Sequence, residues 1–292
     1  MFTATLIADG RLPADLSVAV EALERVGCDP APARWIDDAS AADIDFTADP
    51  EAARAALEGL VPATDVVVQP SEGREKRLLI ADMDSTMITV ECIDELADYA
   101  GIKAQVAAVT EAAMRGELDF EGALDARVAL LAGLDEGAID RCLAERVTIM
   151  PGAKALVRTM RARGARCVLV SGGFTRFAEP VGAEIGFDRV IANRLLVEGG
   201  TLTGTVARPI VGAATKEATL REEAGALPLP LARTLAVGDG ANDLPMIRAA
   251  GLGVAYHAKP VVAAAAAARI EHGDLSALLW AQGIARCDWV TA

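Results

Sequence analysis

Residues 78–86 read LLIADMDST, an apolar run that ends in two closely spaced acidic residues. Leu78–Ala81 has the composition of a buried strand, and Asp82 and Asp84 follow it where a loop begins. The two carboxylates repel each other, and a divalent cation such as magnesium, which prefers hard oxygen ligands, would resolve that repulsion. Taken alone, the stretch fits either a metal site or two solvated acids in a turn.

Three further apolar runs end in the same way, in small or polar residues. They are RCVLVSGG at 166–173, RVIAN at 189–193 and TLAVGDG at 234–240, and helical stretches separate them. This alternation predicts an α/β domain with a doubly wound parallel sheet, in which ligands bind at the carboxyl ends of the strands. The polar ends of these runs are therefore where a functional site is expected.

The chain before residue 74 has a different pattern. Four β-rich runs (FTATLIA, ARWID, DIDFTA and TDVVVQ) alternate with helical stretches at 16–26 and 50–60, which gives the order βαββαβ of a small α+β domain. The polar stretch 70–76 reads as a linker. We therefore predict an N-terminal domain over 1–73 and a second domain over 74–292.

Between the first two strands of the second domain lie about four helical segments without an obvious strand, too long for a plain crossover. This predicts an inserted helical cap at about 88–148. The Gly-Gly pair within 195–206 predicts a hairpin on the edge of the sheet. The alanine run 263–268 predicts a tightly packed helix with no functional role.

Composition narrows the classes of partner. A formal net charge of −14 repels nucleic acid, and it also repels a phosphomonoester unless cations are placed locally to receive it. Five scattered cysteines form no CxxC pair, so we expect reduced thiols rather than disulfides or a zinc site. No basic leader and no apolar stretch of membrane-spanning length is recognisable, which favours a soluble, cytoplasmic protein without membrane or nucleic-acid partners.

Two more strand ends carry candidate residues. Ser171 and Gly172 precede a predicted helix whose first N–H groups, with the Ser171 hydroxyl, would bind a phosphate, although Ser-Gly-Gly alone is more often a turn. Asp239 and Asp243 could complete a magnesium site or simply form a turn before an N-capped helix. Lys216 is either a solvated surface charge or the cation that neutralises a phosphoryl group.

In order and separation these elements resemble the phosphoserine phosphatases of the haloacid dehalogenase superfamily. DMDST matches the first family motif DxDxT, VLVSGG the second, and Lys216 with VGDGANDLPM the third, over residues 76 to 258. The resemblance implies that Asp82 is the nucleophile and Asp84 the general acid and later the general base. It also implies Mg²⁺ held by Asp82, the backbone carbonyl of Asp84, and Asp239, with Asp243 supporting the site.

The resemblance further implies the substrate, O-phospho-L-serine, and with it the last step of serine biosynthesis. Glu91 would bind the ammonium group and Arg127 the carboxylate, charges that suit these tasks, although both could be ordinary surface residues of helices. Ser171, Gly172, Lys216 and Asn242 would contact the phosphate. As the acid, Asp84 must be protonated near neutral pH, which predicts burial or a neighbouring like charge that raises its pKa.

Other interpretations stay open. A phosphatase of the same superfamily acting on a different small phosphomonoester, or a phosphotransferase, would share these motifs. A noncatalytic amino-acid sensor on an inactive phosphatase fold would have no need of a nucleophile. The βαββαβ order is similar to that of ACT domains, which bind amino acids or pair subunits, so the N-terminal domain is expected to form a homodimer contact rather than to sense serine.

Overall fold

The computed structural model describes residues 1–115 and 117–291. The first part consists of β1 (Phe2–Ala8), α1 (Ser17–Arg25), β2 (Arg34–Asp37), β3 (Ala41–Phe46), α2 (Pro50–Leu57) and β4 (Thr64–Pro70). The strands pair antiparallel in the order β2-β3-β1-β4. Alternation along β1 places Ala4 and Leu6 in an apolar cluster with residues of α1 and α2, and Thr3 and Thr5 on the other face. The predicted βαββαβ order is confirmed.

The chain continues as β5 (Leu78–Ala81), α3 (Cys92–Tyr99), α4 (Lys103–Met114), α5 (Phe120–Ala129), α6 (Gly137–Arg146), α7 (Ala153–Ala162), β6 (Arg166–Phe174), α8 (Thr175–Ile185), β7 (Arg189–Asn193), β8 (Leu195–Glu198), β9 (Thr201–Val206), α9 (Ala213–Ala226), β10 (Thr234–Gly238), α10 (Leu244–Ala249), β11 (Leu252–Tyr256), α11 (Pro260–Ala265), β12 (Ala268–Ile270) and α12 (Ala277–Ala281). Within the described ranges, no helix combines the length and apolar character needed to cross a bilayer.

Six of these strands form one parallel sheet in the order β12-β11-β10-β5-β6-β7. The chain runs from β5 towards one edge and from β10 towards the other, so the order reverses between these two central strands. Alternate residues of β5 lie in two separate apolar clusters, Leu79 and Ala81 in one and Leu78 and Ile80 in the other, because helices cover both faces. The predicted doubly wound α/β fold is confirmed.

Five helices, α3 to α7, separate β5 from β6, and the first four of them, α3 to α6, form the predicted helical insertion, which is confirmed. Its limits at about 88 and 148 remain a prediction, and Gly116 lies outside the described residues. β8 and β9 form the predicted hairpin, but its expected place on the edge of the main sheet is wrong. The hairpin is a separate two-stranded sheet that packs on α5, where Gly204 approaches so closely that a Cβ there would lie 2.8 Å from Ala132 Cβ.

The predicted helix over the alanine run is correct only in part. α11 ends at Ala265, and β12 begins at Ala268, which pairs with Val254 of β11. Alanine favours a helix, but the hydrogen bonds offered by the open edge of β11 outweigh that weak local preference. The run thus contributes the end of α11 and the first residue of the outermost strand of the sheet.

Arg74, in the segment between β4 and β5, ties the two parts of the molecule together. Its guanidinium donates to both carboxylate oxygens of Asp43, at 2.7 and 2.9 Å, and to the Ala281 carbonyl in α12 at 3.2 Å. Gln69 Nε2 donates to the same carbonyl at 2.7 Å. The polar face of the N-terminal sheet therefore lies on α12. The domain limits at 73 and 74 remain a prediction, and Ala292 lies outside the described residues.

Candidate active site

Three neighbouring strands end at the candidate site. β5 lies between β10 and β6, and the register places Ala81 opposite Val237. Asp82 follows β5, Asp239 follows β10, and Ser171 lies near the carboxyl end of β6. Because parallel strands in register end at the same edge of a sheet, residues distant in sequence become neighbours there.

Lys216, in the first turn of α9, is the cation of this site. Its side chain is completely buried, and Nζ lies 2.7 Å from Asp82 Oδ1 and 2.6 Å from Asp243 Oδ1. Burial alone lowers the pKa of Lys216, but the carboxylates of Asp82 and Asp243 outweigh it and hold the pKa above its ordinary value. The side chain is therefore an ammonium at neutral pH.

Three carboxylates form an acidic cluster around this lysine. Oxygen atoms of Asp82, Asp239 and Asp243 lie within 4.8 Å of one another. Burial raises the pKa of Asp239 to about 6, although the Thr86 hydroxyl, which donates to Asp239 Oδ1 at 2.9 Å, acts in the opposite direction. One ammonium cannot balance three carboxylates, and this set of hard oxygen donors fits a divalent cation such as Mg²⁺. The side chain of Asp84 is not part of the cluster.

Asp84 is partly buried and has a different environment. The backbone N–H of Cys92 donates to its Oδ1 at 3.1 Å. Burial raises the pKa of Asp84 to about 7, and the negative charge of Glu91 acts in the same direction. Both causes named in the sequence analysis, burial and a like charge, act here. The carboxyl group is thus able to give and take a proton near neutral pH.

The Ser171 loop is shaped by close backbone contacts. The Gly173 N–H donates to Ser171 Oγ at 2.8 Å, and a Cβ on Gly173 would lie 2.6 Å from Asp84 Oδ2, so no larger residue fits without displacing the acid. Asn193, at the end of β7, donates to the Gly172 carbonyl at 2.9 Å and accepts from the Val211 N–H at 2.8 Å. These bonds fix Gly172 beside the cavity.

A cavity of about 680 Å³ lies between the strand ends and the inserted helices. Asp82, Asp84, Asp239, Gly172 and Asn242 line it from the sheet, and Glu91, Phe120 and Arg127 line it from the inserted helices. Ser171, Lys216 and Asp243 are completely buried next to it. The structure therefore brings every residue that the sequence singled out into one region.

The charged residues on the side of the inserted helices form hydrogen bonds with uncharged groups. Glu91 Oε1 accepts a hydrogen bond from Ser85 Oγ at 2.7 Å, and Arg127 Nε donates to the Ala123 carbonyl at 3.2 Å. Within the described residues, Arg127 has no carboxylate within ion-pair distance. The guanidinium and the Glu91 carboxylate are thus able to meet opposite charges on a ligand.

Sequence reasoning missed Thr86, Phe120, Asn193 and Lys259. Thr86 was quoted only as part of a motif, and its hydroxyl supports Asp239. Phe120 reaches across the cavity to the Ser171 loop, where its ring would lie 3.1 Å from a Cβ on Gly212 and 3.4 Å from one on Gly172. Lys259 lines the cavity from the loop before α11. An aromatic residue or lone lysine carries no signal of such a position in a single sequence.

Comparisons with known proteins agree with this geometry. The family described as haloacid dehalogenase-like hydrolase matches residues 79–248. The chain is 48% identical over 213 residues to a phosphoserine phosphatase of Mycobacterium tuberculosis, an alignment that covers 73% of this chain and 52% of that protein. It is 47% identical over 208 residues to a phosphoserine phosphatase of Albidiferax ferrireducens, covering 70% and 88%.

A solved structure of a probable phosphoserine phosphatase from Vibrio cholerae, in unliganded form, has a TM-score of 0.78 and 32% identity, covering 98% of this chain and 88% of that one. The chain spans only about half the length of the M. tuberculosis relative. The family profile nevertheless matches more than half of the chain and includes Asp82, Asp84, Ser171, Lys216 and Asp239. The chain therefore belongs to the haloacid dehalogenase-like hydrolases.

Proposed function

We propose that this protein hydrolyses O-phospho-L-serine to L-serine and phosphate through an aspartyl-phosphate on Asp82. The observation that carries the proposal is that one cavity holds two sets of charged groups, one suited to a phosphate and the other to the ammonium and carboxylate of an amino acid. A carboxylate and a guanidinium, those of Glu91 and Arg127, line the same cavity as Asp82. They complement the ammonium and carboxylate of a phosphorylated amino acid. The similarity to proteins named phosphoserine phosphatase supports the same substrate.

At the phosphate end, Lys216, Ser171, the Gly172 backbone and Asn242 hold the phosphoryl oxygens. Asp82 Oδ1 already accepts hydrogen bonds from Lys216 Nζ and from the Met83 N–H, at 2.7 and 2.8 Å. Oδ2 is therefore the oxygen that attacks phosphorus. Fixed cations and N–H groups around the phosphoryl group stabilise charge without having to reorganise during the reaction.

The proton transfers belong to Asp84. As Asp82 Oδ2 bonds to phosphorus, the bond from phosphorus to the serine oxygen breaks and Asp84 gives that oxygen a proton. A water then attacks the aspartyl-phosphate, Asp84 takes its proton, and phosphate leaves with Asp82 restored. A group with a pKa of about 7 suits both directions of transfer at neutral pH.

Asp82, Asp239 and the backbone carbonyl of Asp84 would hold Mg²⁺, with Asp243 supporting them through its contact with Lys216. When bound, the ion supplies positive charge that offsets the developing charge on the phosphoryl oxygens. The cluster of carboxylate oxygens within 4.8 Å supports a divalent ion at this place.

The N-terminal unit provides a homodimer contact in this proposal. β2 is one of the two outer strands of its sheet, and an edge strand offers unpaired N–H and C=O groups to a second chain. Trp35 of β2 is 36% exposed, which adds apolar surface to that edge. Light scattering of the intact chain distinguishes a dimer from a monomer.

The five free cysteines, four of them buried, support a reducing compartment such as the cytoplasm.

The substrate assignment is tested by comparing phosphate release from a panel of phosphomonoesters. L-phosphoserine is expected to have the highest kcat/KM, ahead of phosphothreonine, phosphoethanolamine and sugar phosphates. A sugar phosphate turned over faster than L-phosphoserine would instead identify a different phosphatase of the same family. Competition between water and added alcohols would reveal a phosphotransferase.

A further inference from the structure

A second cavity lies at the opposite, amino-terminal edge of the parallel sheet. Its volume is about 820 Å³, and it is lined by three arginines, Arg77, Arg166 and Arg233. Leu227, Leu229 and Pro230 form an apolar part of its wall. The cavity therefore combines cationic and apolar surface, far from the acidic strand ends of the candidate active site.

Strand register explains why these arginines converge. Arg77 immediately precedes β5, Arg166 is the first residue of β6, and Arg233 immediately precedes β10. Leu78 pairs with Arg166 on one side and with Thr234 on the other. Parallel strands that begin together place the residues at their starts along one edge, so three positions distant in sequence share one cavity.

The positive charge of the cavity is only partly balanced. Arg166 Nε lies 3.3 Å from Glu223 Oε2, and Arg77 Nη2 lies 3.6 Å from Glu75 Oε1. Arg233 forms no ion pair with any carboxylate of the described residues, and its Nε is one of two buried side-chain polar atoms there that lack a hydrogen-bond partner. A buried N–H without a partner costs free energy, because it has lost its hydrogen bond to water and gained none in the protein.

A buried lysine next to the cavity adds to the positive charge there. Among the residues that the structure describes, Lys76 Nζ donates only to the carbonyls of Ala232 and Gly73, at 3.0 and 3.2 Å. Burial lowers the pKa of Lys76 to about 8, and the charges of Arg233 and Arg74 act in the same direction. Glu72 also lines the cavity, and Glu75 and Glu223 pair with two of its arginines, so three carboxylates stand against Lys76 and the three guanidinium groups. A local excess of positive charge is unusual in a chain of net charge −14.

We propose that this cavity binds a small organic oxyanion, a phosphate or carboxylate attached to an apolar body. The anionic group would accept hydrogen bonds from Arg233, the arginine that lacks a partner, with Arg77 and Arg166 beside it. The apolar body would contact Leu227, Leu229 and Pro230. Guanidinium groups bind such oxyanions through paired hydrogen bonds, which accounts for arginine rather than lysine at all three positions. The site does not depend on the proposed phosphatase activity.

The test uses 4-bromophenylphosphonate, a dianion with an apolar ring and a bromine atom that scatters anomalously. Crystals of the intact protein soaked with this compound are expected to show a bromine peak in the arginine-lined cavity. Calorimetry in solution is expected to show that Arg233→Gln weakens binding at this site about tenfold or more. Arg176→Gln is the matched control, because Arg176 pairs with Glu136 and Asp140 of the inserted helices and does not line the cavity. It should leave binding unchanged.

Two results would overturn the proposal. One is a bromine peak confined to the cavity beside Asp82, or no peak at all. The other is equal affinity of the Arg233→Gln variant and the unsubstituted protein for the probe. If a melting curve shows that Arg233→Gln does not fold, Arg166→Gln is measured in its place and interpreted in the same way.

Discussion

Lys216 Nζ lies 2.7 Å from Asp82 Oδ1, inside a site where the lysine side chain is completely buried. The ammonium also contacts Asp243 at 2.6 Å, so its charge is already shared by two carboxylates. A phosphate dianion arriving here meets more negative charge than Lys216 alone can balance. The contact is therefore a reason to expect that the proposed phosphatase reaction requires a divalent cation as well as the lysine.

Asp82→Asn should abolish turnover, because an amide cannot form the phosphoenzyme. We expect phosphate release to fall by about 10⁴-fold or more, the scale seen when a catalytic nucleophile is removed. Asp140→Asn serves as the control, since Asp140 is an exposed residue of α6 that pairs with Arg176. Normal activity of the Asp82→Asn variant would refute covalent catalysis at this residue.

Arg127→Ala should remove the preference for a substrate carboxylate. Loss of a hydrogen bond to a charged group costs about 1.5–3 kcal/mol, or roughly 10- to 150-fold in kcat/KM for L-phosphoserine. Turnover of phosphoethanolamine, which lacks the carboxylate, should change little. Arg141→Ala is the matched control, since Arg141 is an exposed residue of α6 paired with Asp135. An unchanged preference in Arg127→Ala would show that another residue binds the carboxylate.

Glu91→Gln should shift the pH dependence of the first chemical step. Burial and the Glu91 charge raise the pKa of Asp84 to about 7, and the acid form is needed to protonate the leaving oxygen. The kcat/KM of the unsubstituted enzyme should therefore fall as the pH rises through about 7. Without the Glu91 charge the pKa of Asp84 is lower, so this fall should begin at a lower pH. Glu91→Asp should keep the original profile, and a profile identical in all three proteins would show that the Glu91 charge does not raise the pKa of the catalytic acid.

Arg74→Ala should destabilise the protein far more than Arg34→Ala, although both arginines pair with Asp43. Arg74 is 14% exposed and donates to both oxygens of a carboxylate that is 2% exposed, whereas Arg34 is 62% exposed. Breaking a buried pair costs about 3–5 kcal/mol in the free energy of unfolding, and an exposed pair about 0–1 kcal/mol. Urea denaturation of the two variants measures the difference. Equal losses would mean that the contact with Arg74 does not hold the two parts together.

Much of the candidate site could be predicted because its residues follow apolar runs. Asp82, Ser171 and Asp239 stand at the ends of runs that read as buried strands, and a parallel sheet collects such ends at one edge. Lys216 is different, since nothing in its helical surroundings marks it as buried. Its position was predicted from the resemblance to a known family.

The rest of the molecule depends on contacts that the local sequence does not encode. Phe120 and Asn193 look like ordinary helix and strand residues, and only the folded chain places them beside Gly172. The alanine run seemed purely helical, but pairing with β11 makes a strand of its last residue. Arg77, Arg166 and Arg233 read as surface charges until the register of three strands brings them to one cavity.

Phosphate release from L-phosphoserine, with and without magnesium, tests the central claim most directly. The account predicts turnover by the intact protein in the presence of Mg²⁺, loss of turnover after chelation of the metal, and recovery when Mg²⁺ is added back. Failure to release phosphate from L-phosphoserine with Mg²⁺ present, or release that chelation leaves unchanged, would contradict it.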